Sequence, residues 1–381
     1  MSDAIKLVAV GDIMLGDHPV TFGHGVKSMI EQSGGESPFA KVSELLRGGD
    51  IVFGNVEAVL SEQGLVRGNL ASEEFRGAPR FGSMLAAAGF NVVGFANNHC
   101  MEHGETAFCD TVQVLRSNGM RVAGLVDFRG LCDPVAMSVN GLRVMLLSYS
   151  LCPENYHKGA SVPYAHQQNF EKVLSEVTSF RGQADILLLS LHWGYEYIDY
   201  PSPRQVRLAH RLVDEAGVNL IIGHHPHVLQ AVERYRDSVI IYSLGNFVFD
   251  MWQRPTRDSM AFQATISAEG RIDYKLVPIW INDKRQPENL IGERRKGAFL
   301  EKMSRLKMLL DMRCLAHDLS DPQVIDVLEN DYVTLARKQE ISHRVSSYLY
   351  FLRNVYRYRP TIIRQSLFRS IQRRFEPQEL S

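Results

Sequence analysis

Six short apolar runs in this chain each break off into a polar loop, and the residues at those breaks are of few kinds. Ile5–Val10 ends in Gly11-Asp12, Ile51–Phe53 in Gly54-Asn55-Val56-Glu57, and Phe90–Ala96 in Asn97-Asn98-His99. Ile186–Leu191 ends in His192-Trp193-Gly194, Val218–Ile222 in a loop carrying His224, His225 and His227, and Val239–Tyr242 in a loop reaching Gly245-Asn246. A short apolar run bounded by turn residues reads as a strand buried on both faces. In α/β sheets the functional groups gather beyond the carboxyl ends of the strands. The pattern therefore constrains the chain to an α/β fold with Asp, Glu, Asn and His collected along one sheet edge.

Helical patterns fit between the runs. Ser202-Pro203 supplies an N-cap with proline at the first helical position, Val206, Ala209, Val213 and Ala216 recur at helical spacing, and Gly217 closes the helix. Phe108, Val112 and Leu115 form a second stripe, ended by Asn118-Gly119, and further strands are expected at Leu142–Leu147 and Met260–Ile266. Together these elements predict an α/β sandwich with helices outside a buried pair of sheets. The 381 residues, 45% hydrophobic and 22% charged, have room for one large domain or two smaller ones. Beyond Lys284-Arg285-Gln286-Pro287 only helical patterns remain, so residues 1–290 are read as the α/β domain and residues 291–381 as a helical extension. Five cysteines, an odd number with no CxxC pair, read as reduced thiols rather than a disulfide framework. With no signal-peptide pattern and no apolar run of about 18 residues, a cytoplasmic protein without a membrane span is expected.

The polar set at the breaks is Asp12, Glu57, Asn98, His99, His192, His224, His225 and His227. Carboxylate, amide and imidazole together suit a divalent first-row ion such as Mn²⁺, Fe²⁺ or Zn²⁺. Two such ions about 4 Å apart generate a hydroxide nucleophile and clamp a phosphoryl or acyl oxygen. Singly, each residue has a plainer reading: Asp12 a turn former, Glu57 a solvated loop residue, Asn98 an Asx-turn, His192 a donor to a carbonyl. Their shared position at strand ends is what joins them. Cys100 is the one cysteine on these loops, so a thiolate site is not expected. Arg76 and Arg204 are candidates for holding an anionic substrate through a forked pair, whereas Arg80 reads as a solvated surface residue. Trp193 either lines a substrate groove or packs beneath the metal loop.

These same residues carry a family resemblance. Gly11-Asp12-Ile13-Met14-Leu15-Gly16, Gly54-Asn55-Val56-Glu57, Ala96-Asn97-Asn98-His99, His192-Trp193-Gly194-Tyr195-Glu196-Tyr197, Gly223-His224-His225-Pro226-His227-Val228-Leu229-Gln230 and Ser243-Leu244-Gly245-Asn246-Phe247 stand in the order of the CapA (PGA_cap) family. That family is named for poly-γ-glutamate capsule synthesis and is similar in fold to the calcineurin-like metallophosphatases. The resemblance spans roughly residues 5–285 and implies a four-layer α/β/β/α sandwich holding one or two divalent ions. It implies Asp12 on the first ion, Glu57 in the bridging position, Asn98 and His192 on the second, and His225 and His227 closing the site, with His224 a competitor. It also implies His99 as acid/base beside the leaving group, oriented by Glu102. One departure is that the phosphatases' Asp-x-His becomes Asp12-Ile13-Met14 here. A thioether is a poor ligand for a hard ion, so the first position is one ligand short.

The resemblance implies a metal-dependent hydrolase or transferase acting on an anionic polymer, a peptide or a phosphoester. Two other readings stand beside it: a non-catalytic accessory protein that binds the polymer or its synthase, and a peptide epimerase using His99. The extension adds a separate signal. Ile341, Val345, Tyr348, Leu352 and Val355 share one helical face that ends at Pro360, and Ile363, Leu367, Ile371 and Phe375 share a second. From Ile341 to Phe375 there are eight arginines (Arg344, Arg353, Arg357, Arg359, Arg364, Arg369, Arg373 and Arg374) and no acidic residue. This tail is read either as docking its apolar stripe on the α/β domain or as lying peripherally on an anionic membrane. No nucleic-acid partner is expected, since no binding motif accompanies the arginines.

Overall fold

The first run is apolar at successive positions because both of its faces are covered. The computed structural model describes residues 4–372 apart from 158, 160 and 291, with side chains to residue 366. In the Ile5–Ile13 strand, Ile5, Leu7 and Ala9 enter a core that also holds Leu146, Leu188, Ile221 and Ile240. Val8 and Val10 enter a second core, with Phe81 and Leu85 of the Phe81–Ala88 helix and Phe108 and Val112 of the Gly104–Ser117 helix. Successive strand side chains point to opposite faces, so beyond the exposed Lys6 one strand feeds two cores and shows no polar alternation.

Two sheets result. The first runs Pro287–Asn289, Ile272–Ile281, Asp258–Ile266, Ile5–Ile13, Ile51–Val56, Val92–Gly94, Arg121–Ala123, with Asn246–Val248 paired to the end of Ile5–Ile13. The second runs Val232–Tyr235, Ser238–Ile241, Leu220–His224, Ile186–His192, Leu142–Ser150, Val135–Val139. The Phe170–Thr178 and Pro203–Ala216 helices cover the second sheet through Val173, Val177, Val206 and Leu212. Helix, sheet, sheet, helix is the four-layer order expected from the sequence. The Pro203–Ala216 helix begins with Ser202 and Gln205 capping each other and ends at Gly217 in the left-handed region.

Register brings the site together. In the first sheet Asp12 lies level with Asn55 on one side and Asn246 on the other. In the second, Ser150, His192 and His224 lie level across three parallel strands. Two glycines let the strand ends close up. A Cβ on Gly11 would stand 1.9 Å from the Gly245 carbonyl oxygen, and one on Gly223 would stand 2.0 Å from that of Tyr242.

The extension forms the helices Glu293–Leu310, Pro322–Arg353 and Pro360–Gln372. It shares cores with the α/β layers: Leu306, Leu310 and Cys314 join the large core that also holds Val206 and Leu212, Tyr332 and Ala336 pack on Ile198, and Tyr358 and Ile362 pack on Leu70. The long helix stops at Arg353, before Pro360, and Pro360 instead opens the next helix. The expected stripe does not dock. Ile341, Val345, Tyr348, Leu352 and Val355 are all exposed, because the face turned to the α/β layers is the one bearing His343, Ser346 and Tyr350. The parts of the tail reading that rest on the side chains of Leu367, Arg369, Ile371, Arg373, Arg374 and Phe375 lie outside the described residues.

Gly11→Ala tests the strand-end packing. Its methyl would meet backbone rather than a movable side chain, so a loss of about 1–3 kcal/mol or more is expected in chemical denaturation. Gly48→Ala, which meets nothing within 4 Å, should stay within about 0.5 kcal/mol.

Candidate metal centre

Glu57 follows the Ile51–Val56 strand and is fully buried, yet neither of its carboxylate oxygens has a hydrogen-bond partner. Three imidazole nitrogens face it instead: His227 Nε2 at 3.7 Å, His192 Nε2 at 3.8 Å and His99 Nε2 at 4.0 Å from Oε1. Burial first, then the nearby Asp12 and Glu196 carboxylates, push the Glu57 carboxyl well above the usual range. Asp12 is equally buried but well partnered. It accepts from Asn55 Nδ2 at 2.9 Å and from the His225 backbone N–H at 3.2 Å, and His224 Nδ1 lies 3.0 Å from Oδ1. Burial alone would raise this carboxyl; the His224 hydrogen bond and the His224 and His227 imidazoles outweigh it and hold it below the usual range.

Two of the histidines are in the form that binds metal. Burial pushes His192 well below the ordinary imidazole range and His225 down to about 4, so both are neutral near pH 7. His192 Nε2 lies 2.8 Å from Asn98 Oδ1, a hydrogen-bond distance that keeps the two side chains together. His227 Nδ1 is tied to Asn246 Oδ1 at 2.8 Å, which leaves Nε2 directed at Glu57. Three sets of ligand atoms fall within 4.8 Å of one another: Asp12, Glu57 and His192; Glu57, His225 and His227; and Cys152, His192 and His225. The orphaned Glu57 oxygens, the unpartnered His225 Nδ1 and the mixed O/N donors fit a divalent cation. The backbone is strained here too. Tyr197, His225 and His227 have φ of 65°, 92° and 57°, and such left-handed non-glycine residues cluster at functional sites.

His99 stands at the edge of this cluster. Its Nδ1 is 2.7 Å from Glu102 Oε2, and its ring stacks on Phe75 at 4.1 Å. Asn97 and Asn55 support the loops. Asn97 Nδ2 donates to Asn55 Oδ1 and to the Val56 carbonyl, and Asn97 Oδ1 accepts from the His99 backbone N–H.

Three of the residues read from the sequence as substrate-facing are used elsewhere. Trp193 is fully buried, donates to the Tyr242 carbonyl and stacks on that ring, so it packs beneath the metal loop and lines no groove. The Arg76 guanidinium is buried and donates to the Ser61 and Gln63 carbonyls. Arg204 pairs with Asp326 of the extension. Met14, standing where a ligand is missing, turns into an apolar cluster with Phe75, Phe249 and Met251. His224 keeps to Asp12 and is absent from the three ligand sets.

Other residues at the site escaped the sequence reading. Cys152 lies two residues past the Leu142–Ser150 strand and reaches His192 and His225, so a thiol other than Cys100 stands at the site, although the sequence pointed away from a thiolate site. Burial raises its thiol well above the usual range, and Sγ donates to the His192 carbonyl. Glu196 sits 3.9 Å from His227 Nε2. His343, from the long helix of the extension, stacks on Tyr197 at 4.2 Å and meets Gln253 Nε2 at 2.7 Å. A cavity of about 640 Å³ lies beside the His227 loop, lined by Val228, Tyr197, Gln253, Arg254, Lys302 and His343. Sequence signals existed for two of these, the apolar run preceding Cys152 and the His192–Tyr197 motif that contains Glu196, whereas His343 lies 146 residues from Tyr197 and 90 from Gln253.

Comparison with known proteins bears on this geometry. Residues 6–251 match the family described as bacterial capsule synthesis protein PGA_cap. The capsule biosynthesis protein CapA of Bacillus anthracis is 32% identical over 293 residues, covering 74% of this chain and 69% of the relative. The PGA biosynthesis protein CapA of Bacillus subtilis (strain 168) is 30% identical over 286 residues, covering 74% and 73%. Among solved structures, NAD nucleotidase of Haemophilus influenzae aligns over 88% of this chain and 61% of its own at 13% identity, with a TM-score of 0.45. The match across the strand-end motifs, together with two relatives at 30% identity or more, shows that this chain belongs to the PGA_cap family of bacterial capsule synthesis proteins.

Proposed function

We propose that this protein is a divalent-metal-dependent hydrolase or transferase that acts on phosphoester or acyl bonds of an anionic polymer or its precursor, in synthesis of a capsule or poly-γ-glutamate type. The observation that carries the reading is the Glu57 carboxylate, sealed from water, unpartnered and faced by three imidazoles. Asp12, Glu57, Asn98, His192, His225 and His227 are the residues that would hold metal. Bound there, Mn²⁺, Fe²⁺ or Zn²⁺ supplies Lewis acidity and a nucleophile at neutral pH. The printed names of the two CapA relatives support the polymer class.

The chain's own groups divide the remaining work. Glu102 accepts from His99 Nδ1 and so fixes the tautomer, leaving Nε2 to carry or release a proton toward a leaving oxygen. Asn55 and Asn97 hold Asp12 and the His99 loop in register. The cavity beside His227 gives an extended substrate somewhere to lie, with Arg254, Lys302 and Arg305 along it. Lys302 and Arg305 are partly neutralised by Asp258 and Asp199, so the cavity suits a chain of spaced charges more than one compact phosphate. Met14's turn into the apolar cluster favours a second reading, an accessory protein that keeps the fold and binds polymer without turnover. The two readings differ in catalysis.

Protein purified without chelator should carry metal by elemental analysis, and His192→Ala or His225→Ala should remove most of it. Stoichiometric metal in both variants would exclude this ligand set. With added Mn²⁺, slow hydrolysis of a generic phosphodiester or phosphomonoester is expected, and His99→Ala should reduce it roughly 10²–10⁴-fold. Metal retained without turnover on any phosphoester would favour the accessory reading.

A further inference from the structure

The long helix of the extension has two faces, and only one has a partner within the chain. At about 100° per residue, Ile341, Val345, Tyr348, Leu349 and Leu352 fall within an arc of about 100°. All five are exposed, with side chains from 46% to 64% accessible, and Val355 and Tyr356 extend the patch past the helix end at 41% and 77%. The opposite face holds the helix in place: Tyr332 is buried, His343 stacks on Tyr197, Ser346 accepts from Trp252 Nε1, and Tyr350 stacks on Trp252. Burying the stripe against this domain would therefore require giving up those contacts.

The charge around the stripe selects its occupant. Arg344 and Arg353 lie about 40° outside its two edges, and Arg357, Arg359 and Arg364 follow on exposed positions. No acidic residue occurs beyond Glu340 within the described residues, and Glu340 pairs with Arg344. A second copy packed on this face would oppose arginine with arginine and bring no carboxylate from the stripe to neutralise it. An anionic lipid surface matches both properties, apolar side chains entering the acyl boundary and guanidinium groups staying among phosphates. No helix among the described residues is long and apolar enough to cross a membrane. We propose that the 341–364 segment is a peripheral docking face for an anionic bilayer. Because His343 on the opposite side of the same helix touches Tyr197 at the rim of the metal centre, docking holds that rim about one helix diameter, ~10 Å, from the headgroups.

The test is co-sedimentation of the full chain with vesicles of phosphatidylglycerol mixed into phosphatidylcholine, and of phosphatidylcholine alone. Sedimentation with the anionic vesicles only is expected, weakening as salt rises. A Leu349→Ser/Leu352→Ser/Tyr356→Ser variant should partition roughly tenfold less or worse, with an unchanged melting temperature showing that the fold survives. An Arg353→Gln/Arg357→Gln variant, which leaves the apolar stripe whole, should lose binding in the same direction. The proposal is overturned if the full chain stays in the supernatant with anionic vesicles at low salt, or if it binds neutral vesicles equally well. It is also overturned if light scattering shows a dimer that the triple-serine variant dissolves.

Discussion

A carboxyl group sealed from water with no hydrogen-bond partner costs a folded protein several kcal/mol unless something compensates it. Glu57 is in that position, and much of the surrounding architecture serves to keep it there. The two sheets stack so that their parallel strands end together, and Gly11 and Gly223 remove the side chains that would hold those ends apart. His192, which faces Glu57, and His225 beside it are buried and neutral, so these two rings offer lone pairs and bring no positive charge. Burial favours the protonated form of Glu57. A cation held there would take the place of that proton, and the same burial would strengthen the attraction.

Strain is concentrated at the same place. Tyr197, His225 and His227 all occupy the left-handed region, a cost on the order of 1 kcal/mol or more each. Two backbone hydrogen bonds help hold these conformations: His225 N–H to Asp12 Oδ2, and Tyr197 N–H to the Pro226 carbonyl. The fully buried strands Leu220–His224 and Ile186–His192 supply the rigid base. A loop on a softer base would relax to ordinary dihedrals and turn its imidazoles away from Glu57.

The extension is the second organising element. Its buried residues enter cores that the α/β layers begin, and His343 reaches the wall beside the candidate metal centre. A residue remote in sequence therefore helps shape the cavity next to the candidate site. The same helix turns its apolar stripe outward, so one element links the site to whatever surface covers that stripe.

The sequence by itself determined which strands are buried and what stands at their ends. A continuous apolar run can satisfy its side chains only between two covered faces, and the polar residue that ends it must then lie at the sheet edge. The gathering of Asp12, Glu57, Asn98, His99, His192, His224, His225 and His227 along one edge was legible for that reason. Long-range partnership was not legible. Arg76 and Arg204 look the same in sequence whether they meet a substrate or a carbonyl, because a guanidinium takes whatever acceptor the fold brings. Cys152 and Glu196 carry no local mark of their approach to the histidines, since register between separate strands and loops places them. In the tail, periodicity defined an apolar face but not its direction. Only tertiary packing decided that, because Tyr197, Trp252 and Gln253 found partners in His343, Ser346 and Tyr350 on the other face and left the stripe uncovered.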